Sequence, residues 1–361
     1  IRQWLTSTTA EFDTGTFGNL ITTADNQVVL TPQTTLTDWQ AGINNDVNIL
    51  ISEGDISYVQ ANNLPVNIST SGCAVRLGAY IYILCSSVFY RHSIGTGIWG
   101  AMAAPPAVAD DGASLATNGT DIFAVRGSLT NTFWKYTVAT NAWSVLAVTP
   151  VNNGAGASLT FDGTYIYCVH GGLTASFSQY DISLGTWATK ADIGSTTGSG
   201  SCSIYHGGYV YLLTGKGTTG VRKYVVANNT WGSWVAPSFS AYAGAALTTD
   251  GTNMYAFFGG SSAVFGKFTV SSNLWSSMAN APGEIAAGGA LVYDSSYVYG
   301  VRGNSTQNFY RYSIKNDSWT LNPYFITKTI TVGFTPAEFG YLAAEITGTV
   351  TFQTKSSATD L

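Results

Sequence analysis

A tryptophan recurs every 44 residues through the middle of the chain, and this regularity restricts the possible folds more than any other feature. The six copies are Trp99, Trp143, Trp187, Trp231, Trp275 and Trp319. An aromatic residue lies seven positions before each of them: His92, Tyr136, Tyr180, Tyr224, Phe268 and Tyr312. Glycines keep the same period. A fixed period of this length is typical of repeat architectures that stack one supersecondary unit on the next.

Each repeat has the pattern of four short β-strands, which we label a to d. In the third copy the predicted strands are 156–161, 165–170, 176–182 and 186–190, with an Asp-Gly turn after the first. Strand b is apolar at consecutive positions, as expected when both of its faces are buried. Six such units predict a six-bladed β-propeller over residues 69–322.

Composition supports an all-β fold and excludes two classes of function. Charged residues make up 10% of the 361-residue chain, and polarity comes instead from Thr, Ser, Asn and 40 glycines. The net charge of −5, without any basic run, argues against nucleic acid as a partner. The longest apolar stretch, 79–90, is too short for a membrane-spanning helix, so no membrane insertion is expected.

The repeats resemble the kelch family of propellers. The resemblance rests on YIYCVHGG (165–172) and MYAFFGG (254–260), each an aromatic run that ends in a double glycine, and on YDISLGTW (180–187) and YSIKNDSW (312–319). It implies a kelch-like six-bladed β-propeller. The first copy departs from the pattern near Cys85, where it is about three residues shorter, and blade 1 is therefore expected to be irregular.

The two ends lie outside the repeat and are also rich in predicted strands. Residues 1–68 form an N-terminal segment and residues 323–361 a C-terminal one, with apolar or alternating runs at 26–30, 46–51, 327–334 and 348–355. Because a closed ring brings its ends together, we expect a small β-rich cap or sandwich made by both segments. The motifs EFDTGTFGNL (11–20) and TGTVTFQTKSS (347–357) resemble those of β-sandwich modules in phage structural and bacterial surface proteins. The chain starts at Ile1, which suggests a mature or excised segment.

Four cysteines lack the spacing of a metal site. Cys73 and Cys85 could lie on adjacent strands and pair, or all four thiols could be free in the core. The three histidines fall in structural slots of different repeats, so neither a metal nor a cofactor is expected. Acidic residues that could serve glycoside hydrolysis lie in the loops joining strand d to the next strand a: Asp110, Asp111, Asp192 and Glu284. They form no recognisable catalytic pair, and no catalytic residue is predicted.

Binding is the more promising activity. The d–a loops and the b–c loops are expected to share one face around the channel mouth, where Phe239 and Tyr242 are the aromatic candidates. Trp134 and Trp234 depart from their sister copies and are predicted to make contacts at the outer edge. Arg126 and Arg302 end equivalent strands and complete the candidate ligand-binding set.

These features favour a non-enzymatic extracellular, cell-surface or virion protein with a structural or adhesive role. Its expected partners are other protein subunits of an assembly, surface glycans, or both. Two alternatives remain open: a secreted carbohydrate-active enzyme or oxidase on the same scaffold, and an intracellular kelch adaptor. Low charge and the character of the end segments favour the first.

Overall fold

Six four-stranded antiparallel sheets form the part of the chain that the computed structural model describes in full, residues 63–321. Short strands at 20–22, 28–30, 327–328 and 350–351 are also described. Strand β1 (Leu20–Thr22) pairs with β2 (Val28–Leu30), and β27 (Thr327–Lys328) pairs with β28 (Val350–Thr351). The predicted cap and the remaining predicted strands of the end segments lie outside the described residues.

Each blade is one contiguous piece of chain. Blade 1 contains β3 (Cys73–Leu77), β4 (Tyr80–Cys85), β5 (Val88–Ser93) and β6 (Trp99–Ala101), and blade 2 contains β7 (Ser114–Thr117), β8 (Ile122–Val125), β9 (Phe133–Thr137) and β10 (Ala142–Val145). Blade 3 contains β11 (Ser158–Phe161), β12 (Tyr165–Val169), β13 (Phe177–Asp181) and β14 (Thr186–Thr189). Blade 4 contains β15 (Cys202–His206), β16 (Tyr209–Leu213), β17 (Val221–Val225) and β18 (Thr230–Gly232). Blade 5 contains β19 (Ala246–Thr249), β20 (Asn253–Phe257), β21 (Phe265–Thr269) and β22 (Leu274–Ser277), and blade 6 contains β23 (Ala290–Tyr293), β24 (Tyr297–Val301), β25 (Phe309–Ser313) and β26 (Ser318–Leu321). The predicted six-bladed, all-β fold is confirmed.

An aromatic trio explains why the tryptophans repeat. A phenylalanine at the start of strand c packs against the strand-c tyrosine and the strand-d tryptophan of the next blade. Phe133, for example, has its ring centroid 4.9 Å from those of Tyr180 and Trp187. The indole N–H then donates to a backbone carbonyl 40 residues earlier, in the preceding blade, as Trp187 does to Ala147 O at 3.0 Å. Each trio therefore joins two blades by packing and by a hydrogen bond.

Glycines allow the blades to approach each other closely around the axis. At Gly112, Gly156, Gly200, Gly244 and Gly288 a Cβ atom would lie 1.9–2.1 Å from a carbonyl oxygen in the next blade. All five have φ between +78° and +90°. No side chain fits there, so this set, the glycine ring, serves the packing of the inner strands.

Residues before blade 1 close the ring. Leu64 N donates to Gln307 O and Ile68 N to Thr306 O, at 2.8 and 2.9 Å. Leu64 and Ile68 are buried in a core cluster with Phe309 of blade 6. This segment lies before residue 69 and takes the position that a d–a loop has between other blades. Closure thus relies on loop contacts and packing, without exchange of a strand.

All four cysteines are free. Cys73 pairs in register with Leu84 rather than with Cys85. The two thiols belong to core clusters on opposite sides of blade 1, Cys73 towards blade 2 and Cys85 towards blade 6. Within the described region no helix is long and apolar enough to cross a membrane.

Candidate functional site

The d–a and b–c loops lie together on one side of the ring, which we call the loop face. Isolated β-bridges join them between neighbouring blades, as from Thr130 to Asn153 and from Thr174 to Thr197. In the b–c loops of blades 2, 3, 4 and 6 a threonine hydroxyl donates to the glycine carbonyl three residues earlier, as Thr174 Oγ1 does to Gly171 O at 2.8 Å. These bonds make the loop face a firm platform, of the kind on which binding residues are usually presented.

An arc of large apolar side chains borders part of the channel mouth. Leu129 covers Gly154, where a Cβ atom would lie 2.7 Å from Leu129 Cδ2, and Leu173 covers Gly198 in the same way at 3.1 Å. At the interface between blades 4 and 5 the large side chain comes from the d–a loop instead. Tyr242 occupies the repeat position of Gly154 and Gly198, and its ring lies over Gly217 and Gly260. Leu129, Leu173 and Tyr242, the apolar arc, are 64%, 69% and 49% exposed.

The two leucines of the apolar arc have left-handed backbone conformations. Their φ angles are +54° for Leu129 and +65° for Leu173. This region costs a side chain with a Cβ atom about 1–2 kcal/mol relative to the right-handed conformation. Glycine or asparagine would be favoured there on conformational grounds. The equivalent residues Gly217, Ser261 and Ser305 have positive φ as well, so the turn requires this conformation, and what distinguishes blades 2 and 3 is the exposed leucine placed in it.

Acidic residues lie next to this arc. Asp110 occupies the repeat position of Gly154, one interface earlier, and Asp111 follows it. Burial of its carboxyl group and the proximity of Asp110 raise the pKa of Asp111. Arg126 Nε donates to Val108 O instead of to either carboxylate. Within the described residues the only ion pair joins Lys135 to Asp121, so neither Asp110 nor Asp111 has a basic partner there.

The channel behind the mouth is a cavity of about 450 Å³ lined by the inner strands of all six blades. Hydroxyl groups link the inner strands of blades 2, 3 and 4. Leu159 N donates to Ser114 Oγ and Ser203 N to Ser158 Oγ, both at 2.9 Å. Ser201 lines the channel, but its hydroxyl oxygen is itself buried and has no hydrogen-bond partner among the described residues.

Phe239 and Tyr242 lie on the loop between blades 4 and 5, as predicted. Phe239 packs on Phe258 with 5.4 Å between ring centroids, beside a small recess that includes Pro237 and Trp275. Tyr242 instead lies against the glycines of two b–c loops, and its backbone contacts Gly200 at the channel lining. The structure therefore gives Tyr242, rather than Phe239, a place at the mouth.

The prediction that Trp134 and Trp234 lie at the outer edge is wrong, because both indoles are buried. Trp134 fills the interface between blades 1 and 2. Trp234 replaces the missing phenylalanine of blade 4, where Val221 begins strand c, and packs on Phe268 and Trp275 at 4.8 and 5.5 Å. It thereby completes the aromatic trio. A buried indole offers no surface to a ligand.

Arg126 and Arg302 brace their own d–a loops. Arg302 Nε donates to Glu284 O at 3.0 Å and its Nη1 to Asn308 Oδ1 at 3.2 Å, while Arg126 makes the corresponding bond to Val108 O. Leu129 and Leu173 were not predicted from the sequence. The available signal was a leucine in a glycine-rich b–c loop, in GSLT and GGLT.

A buried polar network holds the loop between blades 2 and 3. His170 contacts Asn153 Oδ1 through Nδ1 at 3.0 Å and Ser178 Oγ through Nε2 at 2.9 Å. Asn153 Nδ2 in turn donates to Thr149 Oγ1 at 2.8 Å. A neutral imidazole satisfies these partners, with Nδ1 as donor and Nε2 as acceptor. The described residues contain no group of three potential metal ligands.

The two buried histidines, His170 of this network and His92 of blade 1, predict that acid lowers the free energy of unfolding. Burial lowers the pKa of His170 to about 4, and burial does the same for His92. The unfolded chain therefore binds protons first, between about pH 6.5 and 4, and the free energy of unfolding falls across that window. At roughly 1.4 kcal/mol per pKa unit, each histidine contributes up to about 3 kcal/mol.

Urea denaturation at pH 7, 6, 5 and 4 measures this effect. A His170→Gln variant should be less stable at pH 7 and should show a shallower pH dependence, with the remainder due to His92. An unfolding midpoint that stays constant from pH 7 to 4 would contradict the expectation.

Comparisons with known proteins bear on the fold. No protein-family model matches the chain, and no curated protein matches it either. A solved structure of YjhT is similar with a TM-score of 0.59 at 15% identity, covering 72% of this chain and 98% of that one. A crystal structure of a structural-genomics protein of unknown function from Bacteroides thetaiotaomicron has a TM-score of 0.55 at 11% identity, covering 68% and 70%. These likenesses concern the fold alone: the chain is a six-bladed β-propeller, and its kelch-type character stays a prediction.

Proposed function

We propose that the protein is a non-enzymatic structural or adhesion protein of a virion, a cell surface or the extracellular space. In this proposal the propeller is of kelch type and its loop face binds protein subunits or surface glycans. The propeller fold fits a binding or scaffold role. The observation that carries the proposal is the apolar arc, because two exposed leucines are kept there at the expense of backbone conformational energy.

The chemistry of the loop face supports contact rather than turnover. The arginines of the loop face, Arg126 and Arg302, donate hydrogen bonds to backbone carbonyls. The thiol of Cys168, a potential nucleophile, is buried in the core beside His170. Burial raises the pKa of the Cys168 thiol well above its ordinary range, which disfavours a reactive thiolate. A low content of charged residues, 10%, suits a polar exterior surface that assembles with other proteins.

Immunogold electron microscopy of source material, with antibodies against the full chain, tests the proposed location. Label on the outside of cells or particles is the expected result. Label confined to the cytoplasm would favour the intracellular adaptor and overturn the proposal.

A turnover screen of the full chain with chromogenic glycosides, and with alcohols in the presence of Cu²⁺, tests the enzymatic alternative. No turnover above the level of heat-denatured protein is expected. Turnover that is lost on denaturation would favour the secreted enzyme or oxidase.

A further inference from the structure

The apolar arc and the neighbouring carboxylates form one graded strip around the channel mouth. Successive blade interfaces carry Asp110 with Asp111, then Leu129, then Leu173, then Tyr242. Ser128 N donates to Asp111 O at 2.8 Å, which fixes Leu129 beside the acidic end. The remaining interfaces carry small residues at the position of Tyr242, namely Ala286 and Ser69.

The apolar half of the strip is largely exposed, and in the acidic half Asp110 Oδ1 accepts from Asp111 N and Thr70 Oγ1. The three apolar side chains belong to three consecutive interfaces and are between 49% and 69% exposed. Single exposed apolar residues are common on protein surfaces, whereas a series of large ones at consecutive interfaces is expected of a contact site. The chain places a large apolar group at each of these interfaces by two different routes, from the b–c loop twice and from the d–a loop once. The carboxylates have no described basic residue within ion-pair distance.

The charged groups near the strip make its two ends electrostatically different. Lys216 lies between Leu173 and Tyr242, with its stem against Gly198 and its Nζ donating to Thr196 Oγ1 at 2.7 Å. Arg126 Nε donates a hydrogen bond to Val108 O. Negative charge therefore lies at the Leu129 end, and positive charge lies towards the Tyr242 end. A complementary ligand has its cation at the first end and none at the second.

We propose that this strip binds a peptide segment of a partner protein, with apolar side chains on the arc and a Lys or Arg at the end facing Asp110 and Asp111. The inference rests on the proposed function and names its partner class. A peptide is favoured over a glycan because leucine side chains offer apolar area to other apolar side chains, whereas sugar hydroxyls need polar groups.

Selection of phage-displayed random heptapeptides on the full chain tests the proposal. The expected consensus has two apolar residues next to a Lys or Arg at one end. A synthetic consensus peptide is then compared with its Lys→Glu counterpart by fluorescence anisotropy at low and physiological salt. We expect the glutamate peptide to bind about tenfold more weakly or worse, since each 1.4 kcal/mol is a factor of ten.

Variants separate the two halves of the strip. The double change Leu129→Asn with Leu173→Asn should weaken binding about tenfold or more, while Asp110→Asn with Asp111→Asn should remove the preference for a basic residue. Leu184→Asn is the matched control, an exposed leucine on the opposite side of the ring, and should leave binding unchanged. Because asparagine tolerates the left-handed conformation, the Leu129/Leu173 variant should also melt higher, by about 2 °C for each leucine.

Any of four results would overturn the peptide site. One is a selection without enrichment, another is a consensus peptide that binds the arc variants as well as the native chain, and the third is a drop in melting temperature of the leucine double variant. Binding to a glycan array that depends on Tyr242, with no peptide selected, would do so as well. In that case the proposed exterior binding role would stand, because the immunogold test is independent of the ligand.

Discussion

Replacing Gly156 with alanine is expected to destabilise the propeller by roughly 4 kcal/mol or more, or to prevent its folding. The added Cβ atom would lie 1.9 Å from Gly198 O and 2.5 Å from its carbonyl carbon, both in the backbone of the next blade. Neither atom can move without displacing the inner strands. The φ of +78° adds a conformational penalty of about 1 kcal/mol. The urea midpoint and the yield of soluble protein measure the effect.

Gly207→Ala is the matched control. Gly207 also has a positive φ, +57°, but a Cβ atom there would meet nothing within 4 Å. This variant should lose only about 1 kcal/mol. Equal effects of the two substitutions would mean that the glycine ring serves backbone conformation alone and not the approach of neighbouring blades.

Trp234→Ala is expected to lower the free energy of unfolding by about 3–5 kcal/mol, the usual range for removing a buried tryptophan. The indole fills the interface between blades 4 and 5 and donates to Leu212 O at 3.3 Å. Its neighbours Tyr211 and Phe268 are themselves buried, so the vacated space cannot easily collapse. Denaturation curves of the full chain provide the measurement.

Val221→Phe should rescue this variant. It restores the phenylalanine that other blades carry at the start of strand c, as Phe177 and Phe265 do. In the native background the same change should be destabilising by about 1–3 kcal/mol, since Trp234 already occupies the space. The double variant should therefore be more stable than Trp234→Ala alone. Additive losses would show that Trp234 does not replace the missing ring.

The period of the tryptophans was enough to predict the blades. In the third copy the predicted strand at 165–170 corresponds to Tyr165–Val169 and the one at 186–190 to Thr186–Thr189. Strand b has at least four consecutive buried residues in all six blades, among them Ile166 to Val169, as its unbroken apolar run predicts. These elements were predictable because each repeat restates the same local pattern.

The repeat did not predict the environment of the residues that depart from it. Trp134 and Trp234 were expected to make contacts at the outer edge because they depart from their sister copies, which carry Ser178, Arg222 and Gly266, or Leu146 and Lys190. Their true environment depends on residues elsewhere: Trp234 is buried because Val221 leaves room for it. Likewise, nothing in the letters GSLT or GGLT shows that Leu129 and Leu173 have positive φ angles. The equivalent residues Gly217, Ser261 and Ser305 also have positive φ angles, so the turn imposes this conformation whichever residue occupies the position.

The seam between blades 6 and 1 has a consequence for the order of folding. Nearly every other contact in the ring lies within one blade or joins blades adjacent in sequence, so it can form early at a small loss of chain entropy. The bonds of Leu64 and Ile68 to residues 306 and 307 join positions more than 200 residues apart. We therefore expect blades to form and dock in succession, with an open crescent as the last intermediate. Closure of the seam would then be the step that makes the whole ring cooperative.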